Sequence, residues 1–232
     1  MLEYGIMKNL LSIPEGMSSP VRNIFCIGRN YVEHAKELKN EVPSEPVVFL
    51  KPTSSLAISQ MPIVIPSISN NVHHELELVI AIGRTVKKES GTQSLSAIDA
   101  IALGIDVTAR DLQDQLKEKK LPWTIAKGLD TFAALSPFLK IDSPQTRDWS
   151  TVELELFING ELKQKGKTDQ MIFDIATIIS FLSHRFTLEA GDIIYTGTPA
   201  GVGKLASGDI LESNLLAFGK KINWKIAVTA ED

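Results

Sequence analysis

The sequence predicts an α+β fold that is predominantly β. Short apolar runs of strand length recur along the 232 residues, bounded by Pro, Gly and Asn. Only three modest stretches show helical spacing, and they do not alternate regularly with strands as a doubly wound sheet requires. No Pro/Ser/Gly-rich linker or block of charge divides the chain. The expected organisation is therefore an N-terminal arm, residues 1–20, followed by one domain, residues 21–232.

Residues 23–27 read as a short strand, and Asn30 opens a helix to about residue 39. Asn30 with Glu33 three positions on is a capping-box variant for the free amides of the first turn. Pro43, Pro46, Pro52, Pro62 and Pro66 then forbid long helix and favour strands such as 47–50 and 63–65. Residues 75–82 and 101–108 are strands rich in Ile, Val and Leu, and a polar helix follows over about 111–120, stopped by Pro122. Residues 151–158 alternate acid and apolar side chains up to Asn159-Gly160, a strong hairpin signal. Ile172, Ile175, Ala176 and Ile179 fall at helical spacing within 169–184, where His184 and Arg185 suit the negative C-terminal end. After the Gly191-Asp192 turn a last set of short strands is expected.

Hydrophobic residues at 44% and charged ones at 22% describe an ordinary globular chain. The longest apolar stretch, 171–182, is interrupted by Asp174 and falls short of the ~18 to 20 residues of a membrane span. Twenty-four basic against 28 acidic residues give a net charge of −4. No basic field exists to hold a phosphate backbone, so neither nucleic acid nor membrane is an expected partner. Cys26 is the single cysteine, which excludes an internal disulfide and a thiolate cluster, so any metal must use oxygen or imidazole ligands. Residues 1–16 carry neither the ~7 to 15 apolar residues of a signal peptide nor an Arg-rich amphipathic pattern, and the expected location is the cytoplasm. The Gly203-Lys204 segment is neither a phosphate-binding loop nor a dinucleotide fingerprint, and His74-Glu75 lacks the second histidine of a zinc-protease helix.

The informative segment is His73-His74-Glu75-Leu76-Glu77. Alternate residues of a strand share a face, so Glu75 and Glu77 can both reach one ion. The strand continues apolar on both faces, whereas Glu153-Leu154-Glu155-Leu156 repeats the same tetrapeptide in a cleanly alternating, half-exposed strand. Spacing alone leaves both readings open for Glu75 and Glu77. Asp106 closes an apolar strand before a polar helix, as a third acid or as a helix cap. Three carboxylates without a thiolate suit a hard ion such as Mg²⁺ or Mn²⁺. His34 and Glu37, three apart on one helix face, can pair so that one ring nitrogen takes a proton from water, although a solvated surface pair has the same spacing. Lys127 is an oxyanion stabiliser or a snorkelling surface lysine.

Together these residues carry a family resemblance. Gly28-Arg29-Asn30-Tyr31 with His34, His73-His74-Glu75-Leu76-Glu77, residues 104–111 (GIDVTARD) and residues 196–203 (TGTPAGVG) closely resemble the fumarylacetoacetate hydrolase family. Leu121-Pro122-Trp123-Thr124 before Lys127, Asp130-Thr131-Phe132 and Gln170-Met171-Ile172-Phe173 extend the match, which runs in order over residues 23–216. The short single-copy chain looks most like the acylpyruvate hydrolase branch, also associated with oxaloacetate decarboxylase and tautomerase activities. The resemblance implies a β-roll, usually a homodimer, with Glu75, Glu77 and Asp106 as ligands of Mg²⁺ or Mn²⁺. It implies His34 and Glu37 as a water-activating dyad, with Lys127, Arg29, Gln113 and Thr198 near a small oxo- or dioxo-acid substrate. The implied reaction is hydrolytic cleavage of a carbon–carbon bond in a 2,4-dioxo acid to release pyruvate. A dioic acid isomerase or decarboxylase of aromatic catabolism, and a non-catalytic metal-binding assembly protein, are the alternatives. One departure is Ala133-Ala134-Leu135-Ser136-Pro137, where the family pattern carries a Gly-Pro pair.

Overall fold

The computed structural model describes residues 13–37, 41–58 and 61–231. Its first strands are β1 (Ile24–Gly28), β2 (Val47–Lys51), β3 (Leu56–Ala57), β4 (Ile63–Ile65), β5 (Val72–His74) and β6 (Leu76–Ile82). Next come β7 (Ile98–Asp106), β8 (Thr108–Ala109), β9 (Ala133–Leu135), β10 (Leu139–Lys140), β11 (Glu153–Ile158) and β12 (Glu161–Lys167). The last four are β13 (Ile193–Tyr195), β14 (Gly203–Lys204), β15 (Ile210–Ala217) and β16 (Lys220–Ala230). The α-helices among the described residues are α1 (Val32–Glu37), α2 (Arg110–Glu118), α3 (Thr124–Lys127) and α4 (Ile175–Arg185), joined by several 3₁₀ turns. The protein is mostly β, with curled sheets, as the sequence predicts. None of the described helices is long and apolar enough to cross a membrane.

The largest sheet runs β2-β1-β13-β6-β7-β9-β3, with β10 also on β7. A second runs β12-β11-β15-β16-β4, and a small third one runs β14-β5-β8. β6 and β7 lie at the centre of the first sheet, and every residue of β6 is buried. A strand covered on both faces needs apolar side chains at every position, hence the unbroken Leu78–Ile82 run. Leu76, Leu78 and Ile80 face the main core, while Val79 and Ala81 face a smaller one with Ile24, Cys26 and Tyr195. Gly104, opposite Glu77 in the β6–β7 ladder, leaves room for this second layer: a Cβ there would sit 2.5 Å from Tyr195 Cε1 and 2.6 Å from Val79 Cγ2. Gly104→Ala is therefore expected to cost about 1 to 3 kcal/mol by overpacking, read as a lower urea midpoint. An unchanged midpoint would show that Tyr195 can move aside.

Several expectations need correction. Asn30 does not cap α1. Its side chain donates to the carbonyls of Phe173 (3.0 Å) and Thr196 (2.8 Å) and accepts from Phe173 N (2.8 Å), a buried bridge between distant segments. Glu33 instead pairs with Lys36 at 2.7 Å. The far end of the expected helix, residues 38–40, lies outside the described residues, as do residues 1–12 of the arm. The strand expected over 101–108 divides at Asp106, because Val107 N bonds to Phe132 O and Thr108–Ala109 turns to pair with β5. The helix expected over 169–184 starts at Ile175. Asp174 caps it, accepting from Thr177 N at 2.7 Å, while Asn30 holds Phe173 outside the helix. Of the short strands expected after Gly191-Asp192, β13 and β14 are 3 and 2 residues long, but β15 and β16 are 8 and 11. The Asn159-Gly160 hairpin is borne out, both residues having positive φ (52° and 83°) between β11 and β12.

Candidate metal centre and active-site cleft

Glu75 is the hinge at which the chain passes from β5, in the small sheet, to β6, in the large one. The β6–β7 register pairs Leu76 with Ile105 and Glu77 with Gly104, and Asp106 N bonds to Glu75 O at 2.8 Å. Glu75, Glu77 and Asp106 therefore converge from two strands, each at most 5% exposed, with one oxygen of each within 4.8 Å of the others. Asp106 is not the cap of α2; the residue in that place is Ala109.

Three cations surround these acids. Lys127 Nζ bonds to Glu75 Oε2 at 2.8 Å and to Asp106 Oδ2 at 2.6 Å. Burial opposes charge on Lys127, yet Asp106 and Glu75 outweigh it and hold the ammonium above its ordinary range. Arg110 donates to the other oxygen of Glu75 and, at 2.6 Å, to Gln113 Oε1. Burial pushes the Glu75 carboxyl up, but Lys127 and Arg110 bring it well below the usual carboxylate range. Lys51, with a side chain fully removed from solvent, lies 2.7 Å from Asp106 Oδ1. Its three protons go instead to the carbonyls of Val107, Lys127 and Phe132. Asp106 Oδ1 is thus a buried oxygen facing a cation without accepting a hydrogen bond.

Among the described residues no cation pairs with Glu77. It accepts from Gly197 N at 2.6 Å, while burial, then Asp106 and Glu75, push its carboxyl well above the usual range. An all-oxygen donor set with one uncompensated carboxylate and one hydrogen-bond-free oxygen fits a hard divalent cation. Gly197 approaches this closely because it lacks a side chain: its φ is +102°, and a Cβ would lie 2.6 Å from Asn30 Cβ.

His34, Glu75 and Lys127 line one cleft with Arg29, Gln113 and Trp123. His34 is 4% exposed, and its Nδ1 lies 3.2 Å from Glu37 Oε2. Glu37, one-third exposed, also accepts from Gly201 N at 3.1 Å, so the pair is tied to the loop 196–201 rather than solvated on a free helix. Arg29 has a φ of +59°, and its guanidinium lies 6.0 Å from the Trp123 ring centroid. Glu77, Asp106 and Thr198 are deeper, at most 2% exposed and not on the cleft wall. Thr198 Oγ1 accepts from Gln164 Nε2 at 2.8 Å.

Sequence reasoning missed Lys51, Phe49 and Gln164, and assigned no role to Arg110. Phe49 walls the cleft, its ring centroid 5.1 Å from Lys127 Nζ. A lysine closing the apolar run Val47–Leu50 before Pro52 was a visible signal of a buried cation. His73 and His74 lie outside the acid cluster: His74 Nδ1 meets Gln164 Oε1 at 2.9 Å and His73 Nε2 meets Asn71 Oδ1 at 3.0 Å. Ala133–Leu135 forms β9, and Ser136 continues its pairing with Leu103, so the departure from the family pattern is absorbed in the sheet.

The two histidines make stability depend on pH. Burial, then Arg110, lowers His73 to about 4, and burial lowers His74. The unfolded chain takes up these protons from about 6.5 downward. For His73 it therefore binds more protons than the native state between about 6.5 and about 4, so that this contribution to stability is full above the window and lost as pH falls through it; His74 acts in the same direction. From pH 7 to 4.5 the urea midpoint of metal-free wild type should fall relative to that of His73→Gln, since every other titrating group, Glu77 included, is common to both proteins. Identical slopes for the two proteins would remove His73 from this account.

Known proteins of similar sequence and structure identify the family. The family model for the fumarylacetoacetate hydrolase C-terminal region matches residues 23–225. A mitochondrial oxaloacetate decarboxylase of Dictyostelium discoideum is 43% identical over 206 residues, 88% of this chain and 94% of that protein. A mitochondrial oxaloacetate tautomerase of Bos taurus is 42% identical over 194 residues, covering 84% of this chain and 87% of its own length. The crystal structure of fumarylpyruvate hydrolase from Pseudomonas aeruginosa, in complex with Mn²⁺ and pyruvate, superposes with a TM-score of 0.84 at 30% identity, covering 95% of this chain and 97% of that one. With its motifs in order, its sheets curled around a buried Glu-Glu-Asp cluster and relatives covered nearly end to end, this chain belongs to the fumarylacetoacetate hydrolase family.

Proposed function

We propose that the chain is a divalent-metal-dependent enzyme of small 2-oxo acids. In this reading it hydrolyses the carbon–carbon bond of a 2,4-dioxo acid to release pyruvate, and acts on oxaloacetate by decarboxylation or tautomerisation at the same site. The observation that carries the reading is the buried Glu75, Glu77 and Asp106 cluster beside a cleft lined by His34 and Lys127. The oxaloacetate enzymes among its relatives, and the Mn²⁺ and pyruvate held by a structural neighbour, support the substrate class.

Glu75, Glu77 and Asp106 would hold Mg²⁺ or Mn²⁺, which when bound supplies Lewis acidity that lowers the cost of negative charge on the 2-oxo end of the substrate. Glu37 holds His34 Nδ1, leaving Nε2 as the nitrogen that takes a proton from water. That water adds to the distal carbonyl, and Lys127 steadies the negative charge on its oxygen. The bond between the distal carbonyl carbon and its neighbour breaks, and the proton on His34 is available to the departing pyruvate carbon. Arg29, Gln113 and Thr198 are assigned to substrate contact.

The test is turnover of metal-reconstituted protein with acetylpyruvate, fumarylpyruvate and oxaloacetate. No turnover of any of them with Mg²⁺ or Mn²⁺ would overturn the reading in favour of a non-catalytic role. A diene dioic acid is the fourth substrate: turnover of it alone would replace hydrolysis by isomerisation, and the non-catalytic reading follows only if it too is left unchanged. A homodimer of the 25.5 kDa chain is part of the proposal, checked by sedimentation. So is the cytoplasm, although the two relatives above are mitochondrial proteins; imaging of tagged chain decides it.

A further inference from the structure

Gln164 is 1% exposed on β12, in a different sheet from the metal-cluster strands, and uses both ends of its amide. Oε1 accepts from Leu76 N (2.9 Å), the backbone amide between Glu75 and Glu77, and pairs with His74 Nδ1 (2.9 Å). Nε2 donates to Thr198 Oγ1 (2.8 Å) and to Pro199 O (2.9 Å). The orientation is unambiguous, since Leu76 N can only donate and Pro199 O can only accept. The loop 196–201 that Nε2 grips reaches both parts of the site: Gly197 N donates to Glu77 and Gly201 N to Glu37.

Resting on the functional reading above, we propose that Gln164 is a positioning residue that couples the metal cluster to the dyad. Its acceptor end holds the Glu75–Glu77 strand, and its donor end holds the loop that joins Glu77 to Glu37. The two ends can be separated. Gln164→Glu keeps an oxygen for Leu76 N and His74 but places a second oxygen against Pro199 O, which weakens the grip on the loop to whatever Thr198 Oγ1 can donate in return. Gln164→Met, of similar length, releases both.

The experiment is hydrogen exchange on metal-free protein, which needs no turnover, with Mn²⁺ affinity and a double-mutant cycle on acetylpyruvate hydrolysis. In Gln164→Glu, exchange should rise at least tenfold in 196–201 and 32–37 and stay unchanged in 76–82, with Mn²⁺ affinity within about threefold of wild type. Gln164→Met should also loosen 72–77 and weaken Mn²⁺ by about tenfold or more. Hydrolysis should fall at least tenfold in Gln164→Glu, and Gln164→Glu combined with Glu37→Gln should be no slower than Glu37→Gln alone.

A uniform rise in exchange, or none in 196–201, would reduce Gln164 to an ordinary core residue. Additive losses in the cycle overturn the coupling, and so does a Gln164→Glu protein that fails to fold where Gln164→Met folds. Exchange as expected in a chain that turns over no dioxo acid would overturn the functional reading while leaving the hydrogen-bonded coupling in place.

Discussion

Glu77→Gln is expected to stabilise the metal-free protein while destroying its metal site. Glu77 is the acid of the cluster with no ion pair among the described residues, and burial, then Asp106 and Glu75, hold its carboxyl well above the usual range. A carboxyl raised in the folded state contributes stability that is present below its unfolded value near 4.3 and lost as pH rises through the folded value. Glutamine keeps an oxygen for Gly197 N and carries no charge, so the loss with rising pH should disappear. A gain of about 1 kcal/mol or more in metal-free protein at pH 7.5 is the expected size. The same change removes a carboxylate ligand, so Mn²⁺ affinity should fall by more than ~10², since even residues that only support ligands are worth about 10 to 100-fold. Turnover of dioxo acid and oxaloacetate should fall together. Urea unfolding with and without Mn²⁺ reads both effects in one experiment. A less stable metal-free variant, or one that Mn²⁺ still stabilises, would remove Glu77 from the metal site.

Glu37→Gln should separate the two chemistries. Hydrolysis of an acylpyruvate needs an activated water, whereas loss of CO₂ from oxaloacetate needs only that the 2-oxo acid be held and its developing negative charge be stabilised. Glu37 touches His34 and Gly201 but none of the acids in the cluster. General-base assistance is typically worth ~10² to 10⁴, so hydrolysis should lose about that much and decarboxylation distinctly less. The measurement is kcat/KM for both substrates under saturating Mg²⁺. Equal losses would mean that the pair acts in closure or in a proton transfer common to both reactions, and the water-activating assignment would fail.

What was legible beforehand is clearest where one tetrapeptide occurs twice. Glu-Leu-Glu-Leu at 75–78 and 153–156 has the same local pattern, yet Glu75 and Glu77 are buried, while Glu153 and Glu155 are half-buried and Glu155 pairs with Lys165 at 3.0 Å. The flanking residues told them apart: Val79 and Ala81 continue the acid face of β6 into a core, and no such run follows Glu155. The His34–Glu37 contact and the Asn159-Gly160 hairpin were legible for the same reason, because periods of 2 and 3.6 and turn chemistry are local properties. Asn30, Lys51, Arg110 and Gln164 were not, since the bonds by which they act on the site span 34 to 166 residues of chain. The sequence by itself determined which strands are buried on both faces, and which acids lie at their ends. Only the tertiary structure decided which cations, amides and carbonyls meet those acids. Strand register places the groups, and burial makes each polar atom take whatever partner that register brings within reach.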